Sequence, residues 1–271
     1  MNSIFLNIMA LKQYTKFYTF FLASLFIIIT SACKKENKVA PSETSTVTDI
    51  DGNIYKTIKI GNQWWMAENL KVTRYNDSTT INKMVLNISP SSNIPDTTWA
   101  NSKKGAYCIY NDENANAKIY GLLYNWYAVS NSKNIAPVGW HIPSDDEWKT
   151  LEKQLGMNAS DAEKTSWRGT TEAQKLKQLK LDESSGQPAW AKDQFGDLYE
   201  NNQSGFSALA GGCCMFNGIW SDYGLTYTGF WWSSTTNGNQ VWYRYLDYKN
   251  TNIFRYYGAK TYGFSIRCVK N

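Results

Sequence analysis

From residue 47 onward the chain alternates short apolar runs with turn residues, and its periodicity changes twice. Val47 to Met66 reads as strands. Asp51-Gly52-Asn53 supplies a turn, Ile54, Thr57, Ile58 and Ile60 are β-branched, and Gly61-Asn62 turns the chain again before Gln63-Trp64-Trp65-Met66. This predicts an opening β-hairpin. Residues 76 to 105 are polar, with breakers at Ser89-Pro90 and Pro95-Asp96, and read as a long loop. Tyr107 to Tyr110 is a short strand. Tyr120, Leu123, Tyr124 and Tyr127 recur at helical spacing, which predicts a helix running to Val129. The sharpest local signal is Ser144-Asp145-Asp146-Glu147, a capping box with acids in the first turn. Trp148, Leu151 and Leu155 then share one face and Gly156 stops the run, so a helix spans about Asp145 to Leu155. A second helix is expected over Glu172 to Leu181. After Phe206 the pattern returns to short apolar strands split by Gly, Asn and Ser, and Val241 to Tyr245 alternates its faces. The predicted class is α+β, with two or three helices, short antiparallel strands and irregular loops.

The first 46 residues follow a different rule. An apolar block, Phe17 to Thr30, follows Lys12 and Lys16 and precedes Ser31-Ala32-Cys33. It is short for a bilayer span. A basic leader, a short apolar core and small residues before a cysteine are the features of a bacterial lipoprotein signal. The expectation is that residues 1–32 are the signal peptide, with cleavage before Cys33 and acylation of that residue. Thr30 departs from the usual leucine three places before the cysteine, and a start at Met9 would give a leader of ordinary length. Residues 33–46 are polar, hold no aromatic residue and read as a flexible tether. The domain proper is then 47–271. The address that follows is the outer membrane or cell surface, with the membrane reached through the lipid.

Charge adds little to this picture. The chain carries +5, and Lys12 and Lys16 leave with the leader, which lowers the formal charge to +3. The basic residues are scattered among acids, so no nucleic-acid surface is expected. Aromatic content changes more: 12 Trp, 18 Tyr and 11 Phe suit either loop-rich packing or a surface that stacks on ligands. Four cysteines remain besides Cys33, at 108, 213, 214 and 268, with no metal-finger spacing and a single histidine, so no metal or other cofactor is expected. Outside the cytoplasm a disulfide can form, and Cys108 with Cys268 is the first choice of pairing, free buried thiols being the alternative. Asp49, Asp51 and Asn53 resemble the start of a calcium loop, but Ile60 stands where an EF-hand needs glutamate.

Several motifs, in order, resemble one family. They are Asp51-Gly52-Asn53-Ile54-Tyr55 with Gly61-Asn62-Gln63-Trp64-Trp65-Met66-Ala67-Glu68-Asn69-Leu70, Tyr120-Gly121-Leu122-Leu123-Tyr124-Asn125-Trp126, Gly139-Trp140-His141-Ile142-Pro143-Ser144, Gly205-Phe206-Ser207-Ala208-Leu209, Trp232-Ser233-Ser234, and Gly263-Phe264-Ser265-Ile266-Arg267-Cys268. Together they look like the Fibrobacter succinogenes major paralogous domain over residues 47 to 271, a family resembling secreted or lipid-anchored proteins of Bacteroidetes-type bacteria with no established activity. More distantly, Ile142 to Trp148 and Gly263 to Arg267 are similar to segments of the formylglycine-generating enzyme group. That similarity implies a C-type-lectin-like fold. It does not carry the activity, because the group's copper-holding cysteine pair has only Cys268 to match it here.

The functional expectation is a non-enzymatic, lipid-anchored binding module whose ligand is a glycan or a protein. Trp231 and Trp232, with Asn237 and Asn239 nearby, form the candidate ligand-binding group, since indole faces stack on sugars and amides bond hydroxyls. The reading of Trp232 as core and Asn237 to Gln240 as a hairpin turn is favoured over it. His141 lacks an assignable nucleophile and reads as structural. Asp222, Asp247 and Asn250 are a loose calcium candidate, and Arg267 reads as half of an ion pair holding the last strand. The alternatives are an enzyme of the formylglycine-generating lineage and a purely structural envelope component.

Overall fold

The computed structural model describes residues 43–86, 96–181, 187–193, 196, 199–220 and 224–271; the leader, Cys33 and most of the tether lie outside them. No helix among the described residues is long and apolar enough to cross a membrane. The structure is mixed α/β, mostly strand, with a few short helices. One sheet has the order β1 (Thr44–Thr48), β2 (Ile54–Ile60), β3 (Gln63–Met66), β12 (Val269–Lys270) and β7 (Trp140–His141). A second has the order β8 (Ser166–Arg168), β11 (Ile253–Gly258), β10 (Gln240–Asp247) and β9 (Thr228–Asn237). The third comprises β4 (Asn82–Lys83), β5 (Ala106–Cys108) and β6 (Leu123–Tyr124). Pairing between these strands is antiparallel except for β4 with β5. The helices are α1 (Thr97–Ala100), α2 (Asn114–Tyr120), α3 (Trp126–Val129), α4 (Asp145–Gln154), α5 (Ala159–Glu163) and α6 (Glu172–Leu176).

The opening hairpin forms, but its first strand starts earlier than expected. Thr44 pairs with Ile58 and Thr48 with Ile54, so Thr44 to Thr46 belong to the sheet and not to the tether. The polar stretch 76–105 holds β4 and α1, while 87–95 lie outside the described residues. The helix expected from Tyr120 to Val129 is instead α2, β6 and α3. Gly121 breaks it: φ is +79°, and a Cβ there would lie 2.8 Å from the Asn69 Cβ and 2.9 Å from the Leu70 carbonyl oxygen. Leu123 and Tyr124 can then pair with Cys108 and Tyr107, and the Asn125 side chain caps α3 by accepting from the Ala128 amide. The helix expected over Glu172 to Leu181 stops at Leu176. Beyond it Lys177 is buried and the Gln178 amide donates to the Ala208 carbonyl.

Helix α4 matches its sequence signal. The Ser144 hydroxyl accepts from the Glu147 amide, and the Glu147 carboxylate accepts from the Ser144 amide. Capping does not account for Asp145, however. Asp145 and Glu152 lie two turns apart on one face, both buried, and meet three arginines from three neighbouring strands. Asp145 accepts from Arg244 at 2.7 Å and from both Nε (3.0 Å) and Nη2 (2.7 Å) of Arg255. Glu152 accepts from Arg244 Nε at 2.5 Å and from Arg168 at 2.8 Å. Around this pairing pack Trp65, Trp148, Phe206 and Trp231, with the Trp65 and Trp148 centroids 4.9 Å apart.

The predicted Cys108–Cys268 bridge does not form. Both are free thiols. Cys108 sits in the cluster with Met84 and Trp99, where its neighbour is the Cys214 side chain, whereas Cys268 belongs to the cluster of Tyr55 and Trp232. Arg267 likewise departs from expectation, because it finds no carboxylate. It is fully buried and donates to the Asn69 side chain and to the carbonyls of Met66, Phe206 and Ser207, with its guanidinium 4.5 Å from the Phe206 ring.

Two outcomes follow from the acid–arginine cluster. Truncating Arg244 to Ala takes one donor from each of two buried carboxylates, leaving Asp145 to Arg255 and Glu152 to Arg168, and urea unfolding is expected to register a loss of about 3–5 kcal/mol. Burial alone would raise the Asp145 pKa, but hydrogen bonds and charge from Arg255 and Arg244 together outweigh it and hold the group at about 2. A lowered carboxylate pKa contributes stability that is complete above the unfolded value near 4 and vanishes as pH falls through about 2. That contribution is roughly 2 kcal/mol. Unfolding curves between pH 5 and pH 2 should show it in wild type, and Asp145→Asn should lack this component of the slope.

Candidate ligand-binding face

The four-stranded sheet has two unlike faces, and period-two alternation decides which residue goes where. Arg168, Trp231, Arg244, Leu246, Ile253 and Arg255 point inward toward α4. The alternate positions form the other face: Trp232 and Val241 on it are buried in a second core, whereas Trp167, Phe230, Tyr243, Tyr245, Phe254 and Tyr256 are half-buried or exposed. Register aligns four of them across all four strands, with Tyr245 opposite both Phe230 and Phe254, and Phe254 opposite Trp167. The Phe230 and Tyr245 rings stack with centroids 4.5 Å apart and planes 13° apart. Trp167 lies 5.2 Å from Tyr245 and 5.1 Å from Phe254. Toward β9 the row continues through Phe264, stacked 5.0 Å from Phe230, then Tyr262, and then Phe216 5.7 Å from Tyr262. The most exposed members are Trp167 at 38 %, Tyr256 at 39 % and Phe216 at 48 %.

Electrostatically the row is neutral. Burial raises the phenol pKa values of Tyr243, Tyr245 and Tyr262, so their hydroxyls stay protonated at physiological pH. The Tyr245 hydroxyl donates to the Asp247 carboxylate at 2.9 Å. Cross-strand aromatic pairs also stabilise the sheet itself, by about 0.2–1 kcal/mol each. The same rings therefore hold the face rigid.

The predicted binding group lies elsewhere. Trp231 and Trp232 are 1 % and 0 % exposed, and their indole N–H groups are spent on Asn69 and on the Tyr124 carbonyl. Both are core residues, because β9 is covered on its two faces: Trp232 packs on Phe264, while Trp231 faces the α4 side. Asn237 and Asn239 are exposed at the β9–β10 hairpin turn. The structure does not bring them together with the two tryptophans. The missed residues sit next to the chosen ones, at Phe230, Tyr243, Tyr245 and Trp167. Strict alternation carried the signal, with Arg244 between Tyr243 and Tyr245, but its direction is the reverse of the usual polar-outward pattern.

His141 bonds Glu147 at 2.7 Å and the Asn271 side chain at 2.6 Å. The Ser144 hydroxyl bonds Glu147 and not the imidazole, so the three do not form a nucleophile–base relay. Asp222 lies outside the described residues. Asp247 and Asn250 do meet, with the amide donating to the carboxylate at 3.2 Å. Among the described residues no group of three or more His, Cys, Asp or Glu side chains could hold a metal ion.

A family model described as the Fibrobacter succinogenes major domain matches residues 58–270. The chain belongs to that family. The match covers every element from β3 to β12, both faces of the four-stranded sheet included. No curated protein and no solved structure matches the chain.

Inward and outward positions in this major domain should respond differently to truncation. Trp231→Ala is expected to lower stability by about 3–5 kcal/mol in urea unfolding. Trp167→Ala, at an edge strand, should cost no more than about 1 kcal/mol.

Proposed function

We propose that this protein is a lipid-anchored component of the outer membrane or cell surface whose domain is a non-catalytic, C-type-lectin-like binding module, and that its ligand is a glycan held on the outward aromatic row. One observation carries the reading: a row of rings crosses every strand of a sheet whose other face packs on α4 and on the segments around Leu176 and Phe206. A face built for a protein partner would normally mix aliphatic side chains and arginine among its aromatics. This row holds only Phe, Tyr and Trp. Ring surfaces suit the C–H patches of a sugar, and tyrosine hydroxyls suit its polar edge. The leader motif ending at Cys33 supports the anchor, and the sequence similarity described above supports the lectin-like fold. Cys268 argues against inherited metal-dependent oxidation. It is fully buried, and burial raises its thiol pKa, which is the opposite of what a metal-holding thiolate requires.

Binding to a glycan array tests the ligand. Wild type is expected to bind a defined set of glycans, and Trp167→Ala and Tyr245→Ala should each weaken that binding about five- to tenfold, the value of roughly 1 kcal/mol for one ring. Folded wild type that binds no glycan would sink the proposal. Retention on a protein partner through the same two residues would replace it with a protein-binding role. Metabolic labelling with a fatty acid tests the anchor: Cys33→Ser should abolish incorporation, and unchanged labelling would refute it.

A further inference from the structure

Cys108 on β5 and Cys214, far apart in sequence, are both fully buried in one small core with Met84, Trp99, Leu123 and Trp220. Packing brings their two segments together. Two residues beyond Cys108, the Tyr110 ring lies 4.7 Å from the ring of Trp220, which is the antiparallel bridge partner of Cys214. The same Tyr110 ring passes so close to the chain just before Cys214 that a Cβ on Gly212 would lie 2.6 Å from it. Cys214 also exchanges both backbone hydrogen bonds with Gly263. Trp99 covers that pair: a Cβ on Gly263 would meet the Trp99 ring at 3.0 Å and the Cys214 Cβ at 2.9 Å. Inside this enclosure the Cys214 thiol hydrogen-bonds the Cys108 sulfur, and burial first, that bond second, push the Cys214 pKa well above the ordinary thiol value. Cys213, the next residue on an extended segment, faces the opposite way, into the core that holds Cys268, Tyr55 and Trp232.

We propose that Cys108 and Cys214 are a disulfide-forming pair, oxidised by a low-molecular-weight disulfide as the chain folds, and that the bond ties β5 to the 212–214 segment. That segment bridges β9 through Gly212 and Gly229, so the link joins the three-stranded sheet to the edge of the four-stranded one. One protein thiolate attacks the small disulfide, which leaves a mixed disulfide and releases one small thiol. The second protein thiolate attacks the protein sulfur of the mixed disulfide and expels the other small thiol. One S–S bond breaks and one forms, and the two protein thiol protons end on the released thiols. Exchange needs a thiolate and an open approach, and the folded core denies both, so oxidation belongs to the folding chain. Once formed, the bond is shielded from reductants by the same burial. The oxidising surroundings it requires are those outside the cytoplasm, where the leader motif directs the chain.

Refolding the full-length protein in a mixture of reduced and oxidised glutathione tests the pair. Remaining thiols are alkylated in denaturant and the peptides are mapped by mass spectrometry, with fragmentation between residues 213 and 214 to separate these neighbours. The expected map joins Cys108 to Cys214 and finds Cys213 and Cys268 alkylated. The bond closes a loop of roughly 100 residues, so the oxidised protein should melt about 10 °C above protein refolded in excess reductant. Cys214→Ser should leave Cys108 alkylated and remove that difference, whereas Cys213→Ser should keep both the link and the higher Tm. If refolding from denaturant fails, natively purified protein partly opened in urea and given the same glutathione mixture yields the same map. Alkylation of Cys108 and Cys214 after oxidation overturns the proposal. So does Cys108 joined to Cys213 or Cys268, or a linked protein that melts no higher than the reduced one.

Discussion

Two acids on α4 pair with three arginines of the four-stranded sheet, and this contact sets the register of the sheet and the packing of its inner face. Asp145 and Glu152 stand two turns apart, and Arg168, Arg244 and Arg255 stand on β8, β10 and β11, so the contact ties one helix to three strands at once. Buried charge of this kind gives no assured gain in stability over well-packed apolar residues. Its effect is on register. A one-residue slip of β10 would turn Arg244 to solvent and leave both carboxylates without it. The Arg255 guanidinium also lies 3.8 Å from the Trp242 ring, which restricts how far β10 and β11 can shift relative to one another.

From that pairing follows the character of the other face. In an ordinary one-sided sheet the inner positions are apolar and the outer ones polar. Here arginines take inner positions on three of the four strands, and Phe, Tyr and Trp take the outer ones. Such an arrangement holds because each arginine has carboxylate, carbonyl or ring partners inside, and because each outer ring packs against its cross-strand neighbours.

Much of the architecture was legible from local chemistry. The capping box at Ser144 and Glu147, the stop at Gly156 and the turns at Gly52 and Gly61 are decided within a few residues of sequence, and the structure has them. What local pattern could not supply was long-range partnership. Helical spacing from Tyr120 to Tyr127 was real, yet Gly121 must pass against the backbone of Leu70, a contact 51 residues away. Asp145 looked like a dipole-complementing cap because its arginines lie about a hundred residues downstream. Trp232 reads as core and is core, but nothing near it in sequence reveals that Trp231, on the opposite face of β9, is buried as well.

Cations are used in this fold where a more regular protein would use secondary structure. Arg267 gathers the carbonyls of Met66, Phe206 and Ser207, and Lys177 gathers those of the 247–250 turn. Irregular backbone in the interior leaves carbonyls without ladder partners, and each costs free energy unless a donor reaches it. Arginine and lysine bring several donors on one long stem, so a single side chain can satisfy a whole turn. The cost appears in Arg267, whose burial without a carboxylate lowers its pKa to about 9. Loops held this way are fixed to the core by side chains that the loop sequence does not itself contain.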